Sequence, residues 1–179
     1  MKTVKITHTN ADDKEIKDLY ETAFPQEEQI PYDELRYLLK TMPLDFIAYY
    51  DKDIFVGLTI VLERIDFNWF WYFAVSEDLR GKGYGQQILN FIKEKYADKP
   101  LILDMESPEQ QCDNMEQRRR RHAFYLRNGF HDTYVGKSFA GVDYTILMLG
   151  DRPFTKVDYD NIIKELRHYW ENIPKEDKV

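Results

Sequence analysis

The residues best placed to do chemistry in this chain form one short run, Arg80-Gly-Lys-Gly-Tyr-Gly85. An apolar stretch, Phe73-Ala-Val, leads into it, and a helical pattern begins directly after it. Glycines at alternate positions let the backbone turn tightly and leave its N–H groups uncovered by side chains. At a helix start, such unpaired donors and the macrodipole both favour an anion. Arg80 and Lys82 add positive charge at the same place. The run reads as a phosphate cradle; as a bare turn, it would simply join a strand to a helix. It fits neither common nucleotide template. A dinucleotide fingerprint needs glycine where Gln86 stands, and a Walker loop needs Ser or Thr where Gly83 follows Lys82.

A second constellation lies downstream in His122-Ala-Phe-Tyr-Leu-Arg-Asn-Gly-Phe130. Asn128-Gly129 is a helix stop, with Gly129 suited to the left-handed conformation and Phe130 folding back onto Phe124 or Tyr125. One apolar strand-like run, Leu101-Ile-Leu-Asp-Met105, separates the two constellations. Together, in this order, Arg80-x-x-Gly83-x-Gly85 and Phe124-Tyr125 closed by Gly129-Phe130 resemble the coenzyme A loop and the later helix motif of GCN5-related N-acetyltransferases (GNAT). The resemblance spans roughly residues 45–149.

The resemblance implies a mixed α/β (α+β-like) fold. Its central sheet of about six to seven strands would be mainly antiparallel, flanked by helices, with two central strands splayed apart. Those strands map to Asn68–Ser76 and Leu101–Met105. It also implies acetyl-CoA as cofactor. The pantetheine would pair with backbone at Phe73, Ala74 and Val75, and the pyrophosphate would lie on Arg80, Gly81, Lys82, Gly83, Tyr84, Gly85 and Gln86. Tyr125 corresponds to the family's acid: at neutral pH a tyrosine, with a pKa of about 10, is protonated and can donate to a leaving thiolate. A backbone N–H near Val75 would stabilise the oxyanion.

The base is less defined. Asp104 and Glu106 alternate on one strand and so share a face, Glu63 is a second choice, and water could serve if positioning dominates. Two positions depart from the family pattern: Glu77 replaces a frequent proline, and Arg118 replaces a frequent asparagine. Arg118-Arg-Arg-Arg121 then reads either as a solvated basic helix face or, through Arg118 and Arg121, as a contact to the cofactor's 3′-phosphate.

Composition narrows the remaining classes. The chain has 179 residues, 43% of them hydrophobic, which suits one domain over 1–179 with an extra C-terminal helix at 155–175. A net charge of −7 argues against a general nucleic-acid binder and suits a cationic acceptor. No apolar run approaches the roughly 18 residues of a membrane helix, and no export signal is visible. A single cysteine, Cys112, points to the cytoplasm, and the four histidines lack metal-ligand spacing. Acidic residues in Gln26-Glu-Glu-Gln29, with Asp33 and Glu34, together with the rings of Trp69, Trp71 and Tyr72, suggest a small cationic primary amine as acceptor. The alternative is a non-catalytic acyl-CoA sensor on the same fold; a nucleotide-binding domain of another family is more remote.

Periodicity places the elements. Strands are predicted at 3–7, 45–50, 54–65, 68–76, 101–105, 132–138 and 142–149. Helices are predicted from Asn10 or Asp12 to Ala23, then over 32–41, from the glycine loop to Tyr96, up to Asn128, and over 159–173. The wide apolar face of the last helix predicts packing within the chain, with a homodimer contact as the other use. Trp69–Phe73 is apolar on both faces and belongs in the middle of the sheet.

Overall fold

The computed structural model describes residues 1–11 and 13–174. Seven strands, β1 (Lys2–Ile6), β2 (Leu44–Asp51), β3 (Ile54–Leu62), β4 (Asn68–Val75), β5 (Leu101–Glu106), β6 (His131–Phe139) and β7 (Val142–Leu149), make one sheet. Their order is β1-β2-β3-β4-β5-β7-β6. Neighbours are antiparallel except β4 and β5, which run parallel. The strand that is apolar on both faces, β4, is therefore fourth of seven, where both faces can be covered.

Five helices cover the faces: α1 (Lys14–Ala23), α2 (Tyr32–Thr41), α3 (Tyr84–Lys95), α4 (Met115–Arg127) and α5 (Lys156–Glu171). Alternation along the strands divides the core in two. One cluster joins Trp69, Tyr72 and Ile102 to α1, α2 and α5. The other joins Phe70, Leu103 and Met105 to α3 and to Tyr125 of α4. Buried Asp45 of β2 anchors the end of α3, accepting from Lys95 Nζ and Tyr96 Oη at 2.5 Å each.

Several boundaries differ from the sequence expectations for local reasons. Helix α1 is capped by Asp13, whose Oδ1 accepts the N–H groups of Glu15 and Ile16. Asn10 instead closes the preceding turn by accepting the Thr7 N–H at 2.6 Å, and Asp12 lies outside the described residues. Strand β3 stops at Leu62, because Asn68 Oδ1 accepts the Arg64 N–H and folds the chain back, leaving Ile65 92% exposed. Helix α5 begins three residues earlier than expected, where Thr155 and Asp158 form a capping box. Its Tyr159 and Ile162 are buried in the first cluster, with Leu166, Tyr169 and Trp170 packed against it, so the apolar face is used within the chain.

The end of α4 follows its sequence signal closely. Gly129 has φ 93°, its N–H bonds the Leu126 carbonyl at 3.0 Å, and the Phe130 N–H bonds the Tyr125 carbonyl at 3.2 Å. The Phe130 ring packs on Tyr125 with centroids 5.4 Å apart, completing a Schellman cap. Because a β-carbon costs about 1–2 kcal/mol in that conformation, Gly129→Ala should lower stability by that amount. Urea unfolding of the two proteins measures it.

Candidate active site

The two central strands share very little ladder. Asn68 pairs with Leu101 and Trp69 with Ile102, and there the β4–β5 pairing ends. Beyond that point β4 continues to Val75 held only by β3, and β5 continues to Glu106 held only by β7. From Phe70 on, the side of β4 that faces β5 has no strand partner, so its peptide groups need donors and acceptors from elsewhere. A β-bulge accompanies the parting: Val61 pairs with Phe70 and Ile60 with Tyr72, leaving Trp71 as the extra residue. Such an insertion re-aims side chains. Trp71 stacks on Trp69 at 4.8 Å and on Tyr72 at 5.3 Å, giving an aromatic wall on one side of the gap.

At its open end β4 runs into the glycine loop. A short 3₁₀ turn at Glu77–Leu79 precedes it. Gly81 and Gly83 have φ of 76° and 85°, and no atom lies within 4 Å of where a β-carbon would stand on either. Gly83 is the N-cap of α3 and offers no side chain to the first-turn N–H groups, which leaves orphan donors facing open space. Arg80 Nε donates to the Val75 carbonyl at 3.2 Å, which moors its guanidinium at the end of β4. Lys82 is exposed beside it.

Two loop side chains are structural instead. Tyr84 Oη donates to Asp51 at 2.7 Å, tying α3 to the β2–β3 turn. Gln86 donates to Asn128 Oδ1 at 2.5 Å, tying α3 to the cap of α4. Only the backbone of these two residues is left for a ligand.

Tyr125 is 7% exposed, between the rings of Phe124 and Phe130. Burial pushes its phenol up to about 12, against the opposing charge of Arg121, so it stays protonated at neutral pH.

The expected bases are placed differently. Glu106 is 8% exposed and accepts from Arg118 at 2.6 Å, with Arg121 at 3.6 Å. Arg118, read in the sequence as a solvated charge or a cofactor contact, is 5% exposed; its second nitrogen donates to Gln110 Oε1 at 3.1 Å. Both of its terminal nitrogens are thus engaged at the end of β5. Asp104 accepts from Trp69 Nε1 at 3.1 Å and is ion-paired with Lys137 of β6. Burial pulls the Lys137 ammonium down, but Asp104 outweighs this and holds it charged. Glu63 follows the end of β3 that faces Trp69, the closed end of the gap, and is remote from the open strands.

A group with no role in the sequence argument beyond its negative charge also meets the gap. Glu28 ends a short turn, Gln26–Glu28, between α1 and α2. Its carbonyl accepts from Tyr72 Oη at 2.7 Å, and its carboxylate accepts from Tyr144 Oη of β7. Burial raises its pKa, the Tyr144 bond opposes this, and the charges of Glu106 and Asp104 reinforce it. A separate cavity of about 430 Å³, lined by Lys93, Tyr96, Pro100 and His131 among others, holds none of these groups.

The profile of the acetyltransferase (GNAT) domain matches residues 44–132, the stretch that contains the open strands, the glycine loop and α4. The chain belongs to the GNAT family. Solved GNAT structures share its fold. A protein from Bacteroides thetaiotaomicron assigned to this family superposes with TM-score 0.77 at 22% identity, covering 97% of this chain and 100% of its own. An aminoglycoside 6'-N-acetyltransferase complexed with coenzyme A gives TM-score 0.62 at 17% identity, covering 86% and 100%. A GNAT acetyltransferase from Elizabethkingia anophelis with acetyl-CoA bound gives 0.60 at 15%, covering 84% and 97%. No curated protein sequence matches the chain.

In this GNAT domain the Arg118–Glu106 pair braces the open end of β5. Removing one partner of a buried pair strands the other charge, at about 3–5 kcal/mol. Arg118→Ala should therefore lower the unfolding free energy by that amount. Arg119→Ala, on the exposed side of the same helix, should change it by less than about 0.5 kcal/mol. Urea denaturation of the two variants tests the contrast.

Proposed function

We propose that the protein is an acetyl-CoA-dependent N-acetyltransferase acting on a primary amine of a small cationic acceptor by direct attack in a ternary complex. The observation that carries this reading is the continuous path from the unpaired edge of β4 to the orphan N–H groups at the start of α3. That path suits a ligand with amides along a narrow arm and a pyrophosphate at its end. The relatives bound to coenzyme A or acetyl-CoA support the choice of cofactor. The aminoglycoside enzyme among them supports an amine as acceptor.

When bound, acetyl-CoA supplies the activated acetyl thioester. The first-turn N–H groups, with Arg80 and Lys82, hold its pyrophosphate. Peptide groups along Phe73, Ala74 and Val75 would hold the arm, with the Val75 carbonyl already taken by Arg80 and its N–H left for the thioester end. A peptide N–H at Val75 faces the charge that develops on the carbonyl oxygen. The acceptor nitrogen bonds to the carbonyl carbon as the carbon–sulfur bond breaks and its electron pair goes to sulfur. Tyr125 gives its phenolic proton to that sulfur and regains one released by the nitrogen. Arg118, Tyr84 and Gln86 contribute through the shape of the site rather than by side-chain contact with the cofactor. The lone cysteine fits a cytoplasmic setting.

Tyr125→Phe keeps the ring packing and removes only the proton. Turnover with acetyl-CoA and a responsive amine should fall about 100-fold or more, while the dissociation constant for acetyl-CoA stays within twofold. Unchanged turnover would remove Tyr125 from the chemistry. Binding without turnover on any primary amine, in wild type as well, would instead make the domain an acyl-CoA sensor.

A further inference from the structure

Three carboxylates gather at the open end of β5 and differ in what surrounds them. Asp104 is paired with Lys137, and Glu106 with Arg118 and Arg121. Both carboxylates thus have cationic partners that a free base would have to give up, which makes them structural members of the site. Glu28 is different. Among the described residues no lysine or arginine forms an ion pair with it, and its carboxylate is held by a neutral hydroxyl, that of Tyr144.

Glu28 is also fixed across the gap. Tyr72, on the far side of the β4 bulge, grips its carbonyl, and Tyr144, paired in register with Glu106, grips its carboxylate. The turn that carries it is braced by Tyr20, whose hydroxyl bonds both the N–H and the carbonyl of Ile30 at 3.0 Å, and by Gln29, which donates to the Phe24 carbonyl at 2.6 Å. Tyr72, which holds its carbonyl, stacks on Trp71, and Trp71 on Trp69, a row of rings that suits a cation.

We infer that Glu28 receives the ammonium of the acceptor and takes its proton. The step is a plain transfer: the acceptor's N–H bond breaks, its electron pair stays on nitrogen as the nucleophile, and the proton forms an O–H bond on Glu28, later passing to solvent. This rests on the transfer reading above and supplies the base that the sequence left open between Asp104, Glu106, Glu63 and water. Protonation relieves Glu28 of the cost of burial, and a base drawn up toward the working pH is the efficient one. The groups facing Glu28 are Tyr144 from β7, Asp104 and Glu106 from β5, Lys137 from β6, and Tyr72 through the peptide. The charges of Lys137 and Asp104 pair with each other, while Glu106 is offset by its arginines. Glu28 therefore titrates as the unmatched charge of the set.

The test uses the full chain, acetyl-CoA and a panel of primary amines: a diamine, a polyamine, an amino sugar, an amino acid and a tripeptide. With the amine acetylated fastest, wild-type kcat/KM should rise with pH and level off once Glu28 is ionised. Glu28→Gln should lose about 100-fold at neutral pH. Its profile should climb with unit slope toward the amine's own pKa, because only free amine then reacts. Tyr144→Phe removes the bond that favours ionised Glu28, so its acid limb should move to higher pH with the plateau kept. Independently, carboxyl carbon NMR of the unliganded protein should show Glu28 titrating above an exposed glutamate. Transfer with a Glu28→Gln profile like wild type, or an ordinary Glu28 titration, overturns the assignment alone. Absence of transfer to every amine by wild type overturns it together with the acetyltransferase reading.

Discussion

Everything distinctive about this site depends on two parallel strands that pair over two residues and then part. A sheet normally satisfies its peptide groups strand to strand, and an unpaired edge in the middle of a protein would be costly. Here the edge is kept because β3 and β7 each hold one of the parting strands along its length. Their ladders are antiparallel and long, whereas the β4–β5 ladder is short. The opening is thus a product of the sheet order, in which the β6–β7 hairpin places β7 against β5. The edge that results is suited to an extended ligand that brings its own amides.

The gap also decides which groups can work together. Alternation along the strands puts Tyr125 in the cluster under α3 and α4, and the Trp69–Tyr72 wall in the other. In the proposed mechanism, proton donor and acceptor site therefore approach from opposite faces, and a ligand lying between the strands would meet both. Two ion pairs set the frame: buried Glu106 with Arg118, and half-buried Asp104 with Lys137, stiffen the open end of β5 and tie it to α4 and β6. In the proposed mechanism they shape the pocket and leave the proton chemistry to Tyr125 and Glu28.

The parts of this arrangement that were legible in the sequence are those specified locally. Arg80 to Gly85 announces a turn, a helix start and positive charge within six residues, and Asn128-Gly129-Phe130 announces a helix end whose geometry followed. Apolar runs located β4 and β5, because strands buried on both faces read that way. What was illegible depended on partners distant in the chain. Tyr144 lies 116 residues from Glu28, and nothing near either residue signals the bond. Arg118 sits in a run of four arginines that suggests a solvated face, yet the turn of α4 aims this one inward at Glu106. Gln86 and Tyr84 look like loop ligands but spend their side chains holding α3 in place. The bulge at Trp71 has no residue signature at all; it arises from register between neighbouring strands.

In the reading proposed above, the open strands and the glycine loop together form one coenzyme A site. Calorimetric titration of the full chain with coenzyme A, acetyl-CoA, ATP and NAD tests it most directly. Such a site should show saturable one-to-one binding of the two coenzyme A species and much weaker binding of ATP and NAD, which share the phosphates but lack the pantetheine arm. Failure to bind either coenzyme A species, or equal affinity for ATP and NAD, would contradict it.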